Sequence, residues 1–386
     1  MNEIEKPIAL FRKAQALYRA RDFEGAAAEY RRCIGLVPDF ATAHMRYAEL
    51  LMHLGNADAA LAEMRAGFRP ISGQVAPFRG NGEPIRVLQL GSSSVQGQTG
   101  TDQILDPLLF ETTTILVQYW DPELALPAHD ITFNLIADPD IDAPALAMAT
   151  ELLDGDRAPV LNAPRLMAHT SRVAHPLRIQ TIPNTIAPSV RLLPRTEIDA
   201  ASLPFLLRSP GYHNGAHFER ITTEAELESA LATLPGYELL QIEYVDSAAD
   251  DGRIRKYRAM IVDGTPYPAH LAIARHWNIH YFSAEMGPAE RAEEIDYLSD
   301  LRAHLGDSIT EALIAVGRST ELDYVGIDFA VSREGKLVVF EANAAMTVFL
   351  PSESAATPER RAAALQIFSA AQRMIAQRVV ASRRSR

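Results

Sequence analysis

The chain has 386 residues, of which 47% are hydrophobic, 22% charged and 7% aromatic. This composition is typical of a globular protein long enough for roughly two or three domains, and it argues against a fibrous or disordered chain. The formal net charge of -12 gives no overall electrostatic reason to bind nucleic acid or an anionic membrane, so we predict neither as a partner.

Cysteine content and the beginning of the sequence both bear on the compartment. Cys33 is the single cysteine, which excludes a disulfide or a thiolate metal site within the chain. Residues 1–20 carry charges throughout and lack the apolar core of a signal peptide. No segment approaches the roughly 18 consecutive apolar residues of a membrane span. A cytoplasmic location is therefore predicted.

Residues 1–70 are predicted to form helical repeats. The segments ALYRARDFEGAAAEYRRC and ELLMHLGNADAALAEMRA align with each other so that Asp22 matches Asn56 and Ala26 matches Ala60. This spacing, with small residues where helices would meet, resembles the tetratricopeptide repeat. The repeats would serve either as a docking surface for a protein or peptide partner, or as a helical cap over apolar surface, and the sequence favours neither.

The next two segments predict a linker and a small domain. Residues 71–84 are rich in proline and glycine, which predicts an exposed linker. In residues 85–165, apolar runs such as IRVLQLG and DITFNLIAD alternate with helical patterns, which predicts a small α/β domain with a parallel sheet. Gly91 before three serines is a much weaker signal than G-x-G-x-x-G, so we predict no dinucleotide site here.

Basic residues and a glycine-rich loop follow in the second half of the chain. LPFLLRSPGYHNGAHFERI predicts two strands around a loop, with Arg208 at the end of the first strand. Backbone N–H groups of such a loop can cradle a phosphate, although an ordinary hairpin is the simpler interpretation of this segment alone. Lys256 and Arg258, two residues apart on the predicted strand KYRAMIVDG, face the same side and would suit a polyphosphate.

The segment DFAVSREGKLVVFEAN predicts a hairpin with polar residues inside apolar strands. Asp328, Glu341 and Asn343 provide two carboxylates and an amide, and these oxygen ligands suit magnesium, which leaves coordination positions for substrate phosphates. Polar strand ends that only contact solvent are the alternative. The segment on its own leaves both interpretations open.

The register of this hairpin can be predicted from its turn. If Ser332–Gly335 form the turn, Asp328 lies opposite Val339, and the three polar side chains point from one face of the hairpin. Ile327 and Phe340 would then point the other way, into a core. Diagonal neighbours at roughly 7 to 8 Å are close enough for the carboxylates to converge on a cation.

The order of the segments TSR, LLRSPGYHNGAHF, LLQIEYVD, RKYRAMIVDG and GIDFAVSREGKLVVFEAN resembles the ATP-grasp superfamily. The chain is similar to its carboxylate-amine ligases of the glutathione synthetase and ribosomal-protein glutamate ligase type over about residues 85–350, and D...E-x-N is the most specific part. The resemblance implies an α/β and α+β architecture, with a pre-ATP-grasp domain at 85–165 and a two-subdomain ATP-grasp fold at 166–386. It also implies ATP and Mg2+ as cofactors.

The resemblance further implies which residues bind the nucleotide. By motif position, these are Arg172, Arg208, Gly211, His213, Asn214, Gly215, Glu243, Tyr244, Val245, Lys256 and Arg258. Arg172 and Arg208 stand where the family usually has two lysines, and arginine does not bind phosphate in the same way as lysine. Lys256 stands where many relatives have a ribose-binding acid, so Asp246, Asp250 or Asp251 are alternatives for that contact.

The implied activity is an ATP- and Mg2+-dependent ligase. A carboxylate would be activated as an acyl phosphate and joined to an amine on a small molecule, a peptide or a protein. Arg208 and Arg258 are implied to act on the transferred phosphate, and Asp328, Glu341 and Asn343 to bind the magnesium ion. A non-catalytic nucleotide-binding adaptor and a phosphotransferase on the same fold are the alternatives.

Two features near the implied site stand outside the family pattern. Many relatives continue E-x-N with a Pro-Gly turn, whereas this chain continues with AAM, so the acceptor loop is expected to have a different shape. His270, Trp277 and His280 follow the phosphate-side strand and are candidates for lining the cleft; ordinary packing explains them equally well.

Overall fold

The computed structural model describes residues 5–68, 73–94, 97–121, 123–212, 215–353 and 357–384. The chain divides into two compact units. Unit 1 consists of Met1–Ser93, Pro107–Thr132 and Glu151–Ala158, and unit 2 consists of Ser94–Asp106, Phe133–Thr150 and Pro159–Arg386. None of the helices within the described ranges combines the length and the apolar character that crossing a membrane requires.

Helices and strands alternate along most of the chain after the first four helices. The α-helices are α1 (Glu5–Arg19), α2 (Phe23–Leu36), α3 (Ala41–His53), α4 (Ala57–Phe68), α5 (Pro139–Leu152), α6 (Ala174–Ile179), α7 (Glu224–Thr233), α8 (Pro288–Ser299), α9 (Leu301–Leu305), α10 (Asp307–Ser319) and α11 (Pro358–Arg384). The β-strands are β1 (Gln74–Ala76), β2 (Ile85–Gly91), β3 (Phe110–Leu116), β4 (Ile131–Asn134), β5 (Val160–Leu161), β6 (Thr185–Ile186), β7 (Val190–Pro194), β8 (Phe205–Arg208), β9 (Phe218–Ile221), β10 (Glu238–Glu243), β11 (Ile254–Val262), β12 (Thr265–Ala274), β13 (Tyr324–Val331) and β14 (Leu337–Asn343).

In unit 1, α1 to α4 form two helix pairs with matching geometry. Ala26 and Ala60, aligned in the sequence, are both fully buried, as close helix packing requires. Arg21 and Gly55, also aligned, adopt left-handed φ angles of 61° and 78° in the tight turns between the helices. The side chain of Asp22 caps α2 at its N-terminus. The predicted helical repeats are confirmed.

The last repeat helix packs against another part of unit 1. The ring of Phe68 in α4 stacks on Tyr119, with ring centroids 4.2 Å apart and planes 8° from parallel. The hydroxyl of Tyr119 lies 3.7 Å from the sulfur of Met64. In the same unit β1, inside the segment predicted to be a linker, pairs antiparallel with β3, and β2 pairs parallel with β3. One face of α4 therefore covers apolar surface, as a cap would.

Two sheets that lie entirely in unit 2 differ in strand order. The first is antiparallel, with the order β7-β10-β8-β9, and the second has the order β12-β11-β13-β14-β6. In the second sheet β6 is parallel to β14 while the other strand pairs are antiparallel. Helices α8 and α11 pack against β12. Helix α7 begins at a capping box formed by Thr223 and Glu226.

The register of the β13–β14 hairpin differs from the prediction. Val331 pairs with Leu337, so the turn is one residue longer than expected. The register then shifts by a further residue, and Asp328 pairs directly with Glu341 rather than with Val339. The shift is a β-bulge, which inserts one residue into one strand and turns its neighbours.

Phe340 is the inserted residue, and this corrects the prediction that it lies in a core. Its side chain is 42% exposed, whereas Ile327 is fully buried as expected. The bulge makes Asp328 and Glu341 direct partners across the two strands, whereas the predicted register made them diagonal neighbours.

Candidate functional site

A cavity of about 570 Å³ lies in unit 2 and is lined by residues of both of its sheets. This volume is within the range of small-molecule sites, roughly 300 to 1,000 Å³. The predicted site residues that line it are Arg172, Arg208, Gly215, Glu243, Tyr244, Val245, Lys256, Arg258, Asp328, Glu341 and Asn343. The fold thus brings together positively charged side chains and carboxylates that are far apart in the sequence.

The remaining predicted residues lie elsewhere. Gly211 is in the same loop as Gly215 but outside the lining of the described cavity. His213 and Asn214 lie outside the described residues. The three alternatives for a ribose contact, Asp246, Asp250 and Asp251, also lie outside the cavity lining within the described part of the chain.

One wall of the cavity is apolar. Val190, Ile242 and Leu206 pair across β7, β10 and β8, so their side chains form a row over three adjacent strands. All three line the cavity. A row of aliphatic side chains on a sheet gives a flat apolar surface, which can receive the face of a planar ring.

The predicted nucleotide-binding residues Glu243, Tyr244 and Val245, here called the hinge, follow directly after this row. They are bound to Ser189, the residue before β7. The backbone N–H of Glu243 donates to the carbonyl of Ser189 at 2.9 Å, and the N–H of Ser189 donates to the Glu243 carboxylate at 3.0 Å. The guanidinium of Arg220 lies 4.0 Å from the centre of the Tyr244 ring, a cation–π contact. These contacts hold the backbone of the hinge in place at the edge of the apolar wall.

At the opposite wall, Asp328 is bound by two basic side chains. Arg258 donates from Nε to Oδ1 at 2.6 Å and from Nη2 to Oδ2 at 2.9 Å, and Lys256 Nζ lies 2.9 Å from Oδ2. Asp328 is only 2% exposed. Burial opposes its ionisation, but the charges of Arg258 and Lys256 outweigh that effect and hold the pKa of Asp328 well below its usual range.

Arg172 is anchored by two carboxylates that the sequence analysis missed. Its Nη1 lies 3.2 Å from oxygens of both Asp138 and Asp140, and its backbone N–H donates to Asp140 at 3.0 Å. Burial lowers the pKa of Arg172, but these acids and Glu341 more than compensate and raise it. The signal was present in the sequence, since DITFNLIADPD places two acids just after strand β4, where ligands commonly bind in α/β sheets.

Glu341 and Asn343 provide oxygen atoms side by side. Glu341 Oε1 accepts a hydrogen bond from Asn343 Nδ2 at 3.0 Å and lies 3.5 Å from Arg172 Nη2. Asn343 Oδ1 accepts from the N–H of Ala345 at 2.6 Å, which fixes the amide. Burial opposes the ionisation of Glu341, but Arg172 and Asn343 keep its pKa below the usual value.

The three predicted metal ligands differ in how available their oxygen atoms are to a magnesium ion. A carboxylate and an amide oxygen, as in Glu341 and Asn343, are the hard ligands that Mg2+ prefers. Both oxygens of Asp328 are already bound to cationic groups. Within the described ranges, no group of three or more His, Cys, Asp or Glu side chains that could hold a metal ion is found.

Arg208 contributes positive charge next to the glycine-rich loop between β8 and β9. Its Nη2 donates to the carbonyl of Tyr212, and its guanidinium lies 5.4 Å from the centre of the Phe218 ring. Burial and the neighbouring charge of Arg172 lower the pKa of Arg208. Repulsion between two buried cations indicates that this part of the cavity favours an anionic ligand.

The loop between β8 and β9 requires glycine at the cavity. Gly215 has a φ of 72°, and a Cβ at this position would lie 2.4 Å from Nε2 of His280. A larger residue would therefore be strained and would clash. The loop closes through a hydrogen bond from the N–H of Ser209 to the carbonyl of His217 at 3.0 Å.

The other end of the cavity is formed by the segments around Trp277 and after Asn343. Trp277 and His280 line the cavity, whereas His270 packs 4.8 Å from the Tyr281 ring outside the described lining. Met346 also lines the cavity and covers Gly326, where a Cβ would lie 2.5 Å from its sulfur. The chain after E-x-N is thus held close to the sheet.

Comparisons with known proteins support the repeats and the fold. A family model described as tetratricopeptide repeat matches residues 17–69. No curated protein matches the chain. The structure is similar to that of the D-alanine-D-alanine ligase from Coxiella burnetii, with a TM-score of 0.50 and 13% sequence identity, covering 78% of this chain and 97% of that one.

Two further structures are similar at lower scores. The VanG D-Ala:D-Ser ligase from Enterococcus faecalis gives a TM-score of 0.49 and 11% identity over 77% of this chain and 100% of that one. The ATP-grasp ligase PsnB, complexed with minimal precursor, Mg and ADP, gives a TM-score of 0.45 and 11% identity over 76% of this chain and 99% of that one. At these identities the similarity concerns the fold: the Coxiella burnetii enzyme confirms the ATP-grasp fold predicted from the sequence.

Proposed function

We propose that this chain is an ATP-dependent ligase that activates a carboxylate as an acyl phosphate and joins it to an amine. The observation that carries the proposal is one cavity in which basic side chains, carboxylates and an apolar wall face each other on an ATP-grasp fold. Polyphosphates require clustered positive charge, and a purine requires a flat apolar surface. A cavity of about 570 Å³ combines both.

In one orientation of the nucleotide, the base contacts the apolar wall and the phosphates contact the basic side chains. The base lies on the row formed by Val190, Ile242 and Leu206, with its edge at the backbone of the hinge. The phosphates then extend toward Arg208 and Arg258, because these guanidinium groups present paired N–H donors to phosphate oxygens. Gly215 lets the loop backbone approach the phosphates closely.

The reaction uses no nucleophile from the protein. An oxygen of the substrate carboxylate attacks the γ-phosphorus of ATP, the bond to ADP breaks, and the acyl phosphate forms. The amine then attacks the acyl carbon, loses a proton, and expels inorganic phosphate that carries one oxygen of the original carboxylate. The rate enhancement comes from positioning and from offsetting negative charge on the transferred group.

Residues of the cavity would position the substrates and offset the negative charge on the transferred phosphate. Arg208 and Arg258 offset the charge on the transferred phosphate, and Lys256 adds a third positive charge near it. Glu341 and Asn343 would hold Mg2+, which when bound neutralises phosphate oxygens. The loop at Gly215 would exclude water from the acyl phosphate, which otherwise hydrolyses.

Oxygen transfer provides the test of this chemistry. Carboxylates labelled with ¹⁸O are incubated with ATP, MgCl2 and a panel of amino acids and short peptides, and products are identified by mass spectrometry. The expected result is ADP, an amide and phosphate containing one ¹⁸O. A stable phosphorylated product without amide would identify a phosphotransferase. Nucleotide binding without ADP formation for any pair of substrates would identify an adaptor.

A peptide or protein carrying one of the reacting groups is the substrate class that the repeats favour. Residues 17–69 match the tetratricopeptide repeat, and the apolar side chains of Leu36 in α2, Met52 in α3 and Leu54, directly after α3, are exposed. Peptide substrates should therefore lose apparent affinity in a Met52→Ser variant, while small-molecule substrates keep theirs. A KM for peptide substrates that is the same in the variant and the wild type would assign the repeats to capping alone.

A further inference from the structure

We propose that the aromatic side chains of Phe282 and Phe349, at the mouth of the cavity, receive an aromatic ring of the substrate. One of the two reacting molecules then carries an aromatic side chain next to its reacting group. This inference rests on the proposed ligase function and names a substrate class for it. The ring can belong to the carboxylate or to the amine, and the experiment separates the two.

The exposure of these two rings carries the inference. The Phe282 side chain is 76% exposed and that of Phe349 is 57% exposed, whereas Phe133, Phe205 and Phe329 are buried in the core. The two exposed rings contact each other edge to face, with centroids 5.7 Å apart and planes at 75°. Phe349 also lines the cavity. Adjacent exposed aromatic side chains at the opening of a cavity indicate a binding surface for an apolar group.

Phe282 is supported by Tyr281, which several contacts hold in place. The hydroxyl of Tyr281 donates to Glu294 Oε2 at 3.1 Å and accepts from Arg291 Nη1 at 2.7 Å. The guanidinium of Arg360 lies 4.0 Å from the centre of the Tyr281 ring, a cation–π contact. The Phe282 ring packs edge to face against the Tyr281 ring, with centroids 5.5 Å apart. Phe282 therefore stands on an ordered base although its own ring is exposed.

Phe349 belongs to the segment after E-x-N, and this segment is attached to the fold on both sides of Phe349. The hydroxyl of Thr99 donates to the carbonyl of Ala344 at 3.1 Å, and Nη1 of Arg361 donates to the carbonyl of Pro351 at 2.6 Å. A side chain that is held in place before the ligand arrives loses less conformational entropy on binding. The segment in which this chain departs from the Pro-Gly turn of many relatives thus contributes an aromatic side chain to the cavity.

The charges at this end of the cavity favour a neutral ring over a cationic group, although exposed aromatic rings can bind either. His280 lies in the same segment as one of the two rings and lines the cavity. Burial lowers the pKa of His280, and the positive charge of Lys256 lowers it further despite the opposing effect of Asp328. Arg208 and Arg258 act in the same direction as Lys256. Charges that oppose the protonation of a histidine also repel an ammonium or guanidinium group on a substrate side chain.

Matched pairs of small molecules give the direct test. The wild-type chain, loaded with ADP and Mg2+, is titrated calorimetrically with N-acetyl-L-phenylalanine and N-acetyl-L-alanine as carboxylates, and with L-phenylalaninamide and L-alaninamide as amines. We expect the phenylalanine member of at least one pair to bind about 10-fold more tightly than the alanine member, because its ring leaves water for an apolar surface. The pair that shows this preference identifies the reacting molecule that carries the ring. The corresponding lysine compounds should bind no more tightly than the alanine compounds.

Single substitutions test whether these two rings are the source of the preference. Phe282→Ser and Phe349→Ser should each reduce the preference for the phenylalanine compound to below about 3-fold. Tyr237→Ser is the matched control, because Tyr237 is 74% exposed and lies outside the described lining of the cavity, and it should keep the preference. In a Trp120→Phe chain, Trp277 at the cavity is the only tryptophan, so its fluorescence should change when the phenylalanine compound binds. Urea denaturation checks that each variant is folded.

Several results would overturn the proposal. These are equal affinities within both pairs, tighter binding of a lysine compound, and a preference that survives either Phe282→Ser or Phe349→Ser. Absence of binding by both phenylalanine compounds to a chain that binds ADP would overturn it as well. If the wild-type chain binds no ADP, the proposed ligase function fails, and the titrations are repeated without nucleotide. A preference that depends on Phe282 and Phe349 under those conditions would still support the aromatic site.

Discussion

The helical repeats of residues 5–68 and the β13–β14 hairpin bury different kinds of residues. The buried cluster of the repeats contains small and aromatic side chains such as Ala26, Ala60 and Tyr30. The hairpin buries Asp328, which two cations must neutralise. Apolar burial accounts for folding by itself, whereas buried ion pairs add little net stability compared with apolar residues. The buried charges of the hairpin therefore call for a functional explanation, whereas the apolar side chains of the repeat core do not.

This contrast predicts that changes in the repeats affect stability and changes in the cavity affect nucleotide chemistry. The largest effect is expected for Leu50→Ala in α3. Leu50 is fully buried in the repeat cluster, so truncation should lower the free energy of unfolding by about 2–5 kcal/mol. Urea denaturation measures the loss. ADP formation with small substrates should stay at the wild-type rate below the unfolding transition. A large loss of kcat in Leu50→Ala under these conditions would contradict the separation between stability in the repeats and nucleotide chemistry in the cavity.

The converse effect is expected for Arg208→Met. Removing a cation that stabilises a developing phosphate charge should lower kcat about 100- to 1,000-fold, equivalent to about 2.7–4 kcal/mol of transition-state stabilisation. Steady-state kinetics of ADP release measure the change. Arg302→Met, which removes an exposed arginine paired with Asp307 and Glu311, is the control and should leave kcat unchanged. A similar kcat for both variants would contradict the role of Arg208.

Part of the loss of folding stability at low pH should come from a histidine of the cavity. Burial and the neighbouring Arg178 lower the pKa of His175, a cavity-lining residue, to about 4. Because the folded state holds His175 neutral while the unfolded state takes up a proton below about pH 6.5, stability is present above that pH and is lost as pH falls toward 4. The shift corresponds to about 3 kcal/mol.

His175→Gln should remove this part of the pH dependence. Asp328 and Glu341, whose pKa values are also lowered, contribute acid sensitivity in both proteins, so the difference between wild type and variant isolates His175. Unfolding by urea at several pH values between 4 and 7 provides the comparison. His276→Gln, at an exposed position, should keep the wild-type slope. An unchanged slope in His175→Gln would show that His175 does not titrate in this range.

The smallest effect is expected at the turn between α1 and α2. Arg21 has a left-handed φ of 61°, which strains a residue with a Cβ, whereas the aligned Gly55 adopts this conformation freely. Arg21→Gly should raise the free energy of unfolding by about 0.5–1 kcal/mol, since the relief of strain is offset in part by the flexibility of glycine when unfolded. Thermal unfolding measures the gain, and a lower midpoint would contradict the strain.

Local sequence patterns predicted the parts of the fold that depend on local chemistry. The helical repeats and the end of β8 at Arg208 follow from patterns that are visible within short segments of the sequence. The ATP-grasp fold followed from the order of segments, in which each segment is weak but the sequence of all of them is restrictive.

The features that sequence reasoning missed depend on contacts across the fold. The bulge at Phe340 could not be deduced from the turn, because an inserted residue is stabilised by what surrounds both strands. The sequence places Asp138 and Asp140 shortly after a strand, but their contact with Arg172, which belongs to a different segment, depends on the fold. Side-chain alternation likewise placed Asp328 on the cavity face but gave no indication that two cations bind it.

Calorimetric titration with ADP and Mg2+ tests the nucleotide role of the cavity most directly, because it requires no knowledge of the carboxylate or the amine. The predicted result is one ADP bound per chain, with an affinity at least about 10-fold lower in Arg208→Met, as expected for a lost charged hydrogen bond, and unchanged in Arg302→Met. Absence of ADP binding to the wild-type chain, or equal affinities for wild type and Arg208→Met, would contradict it.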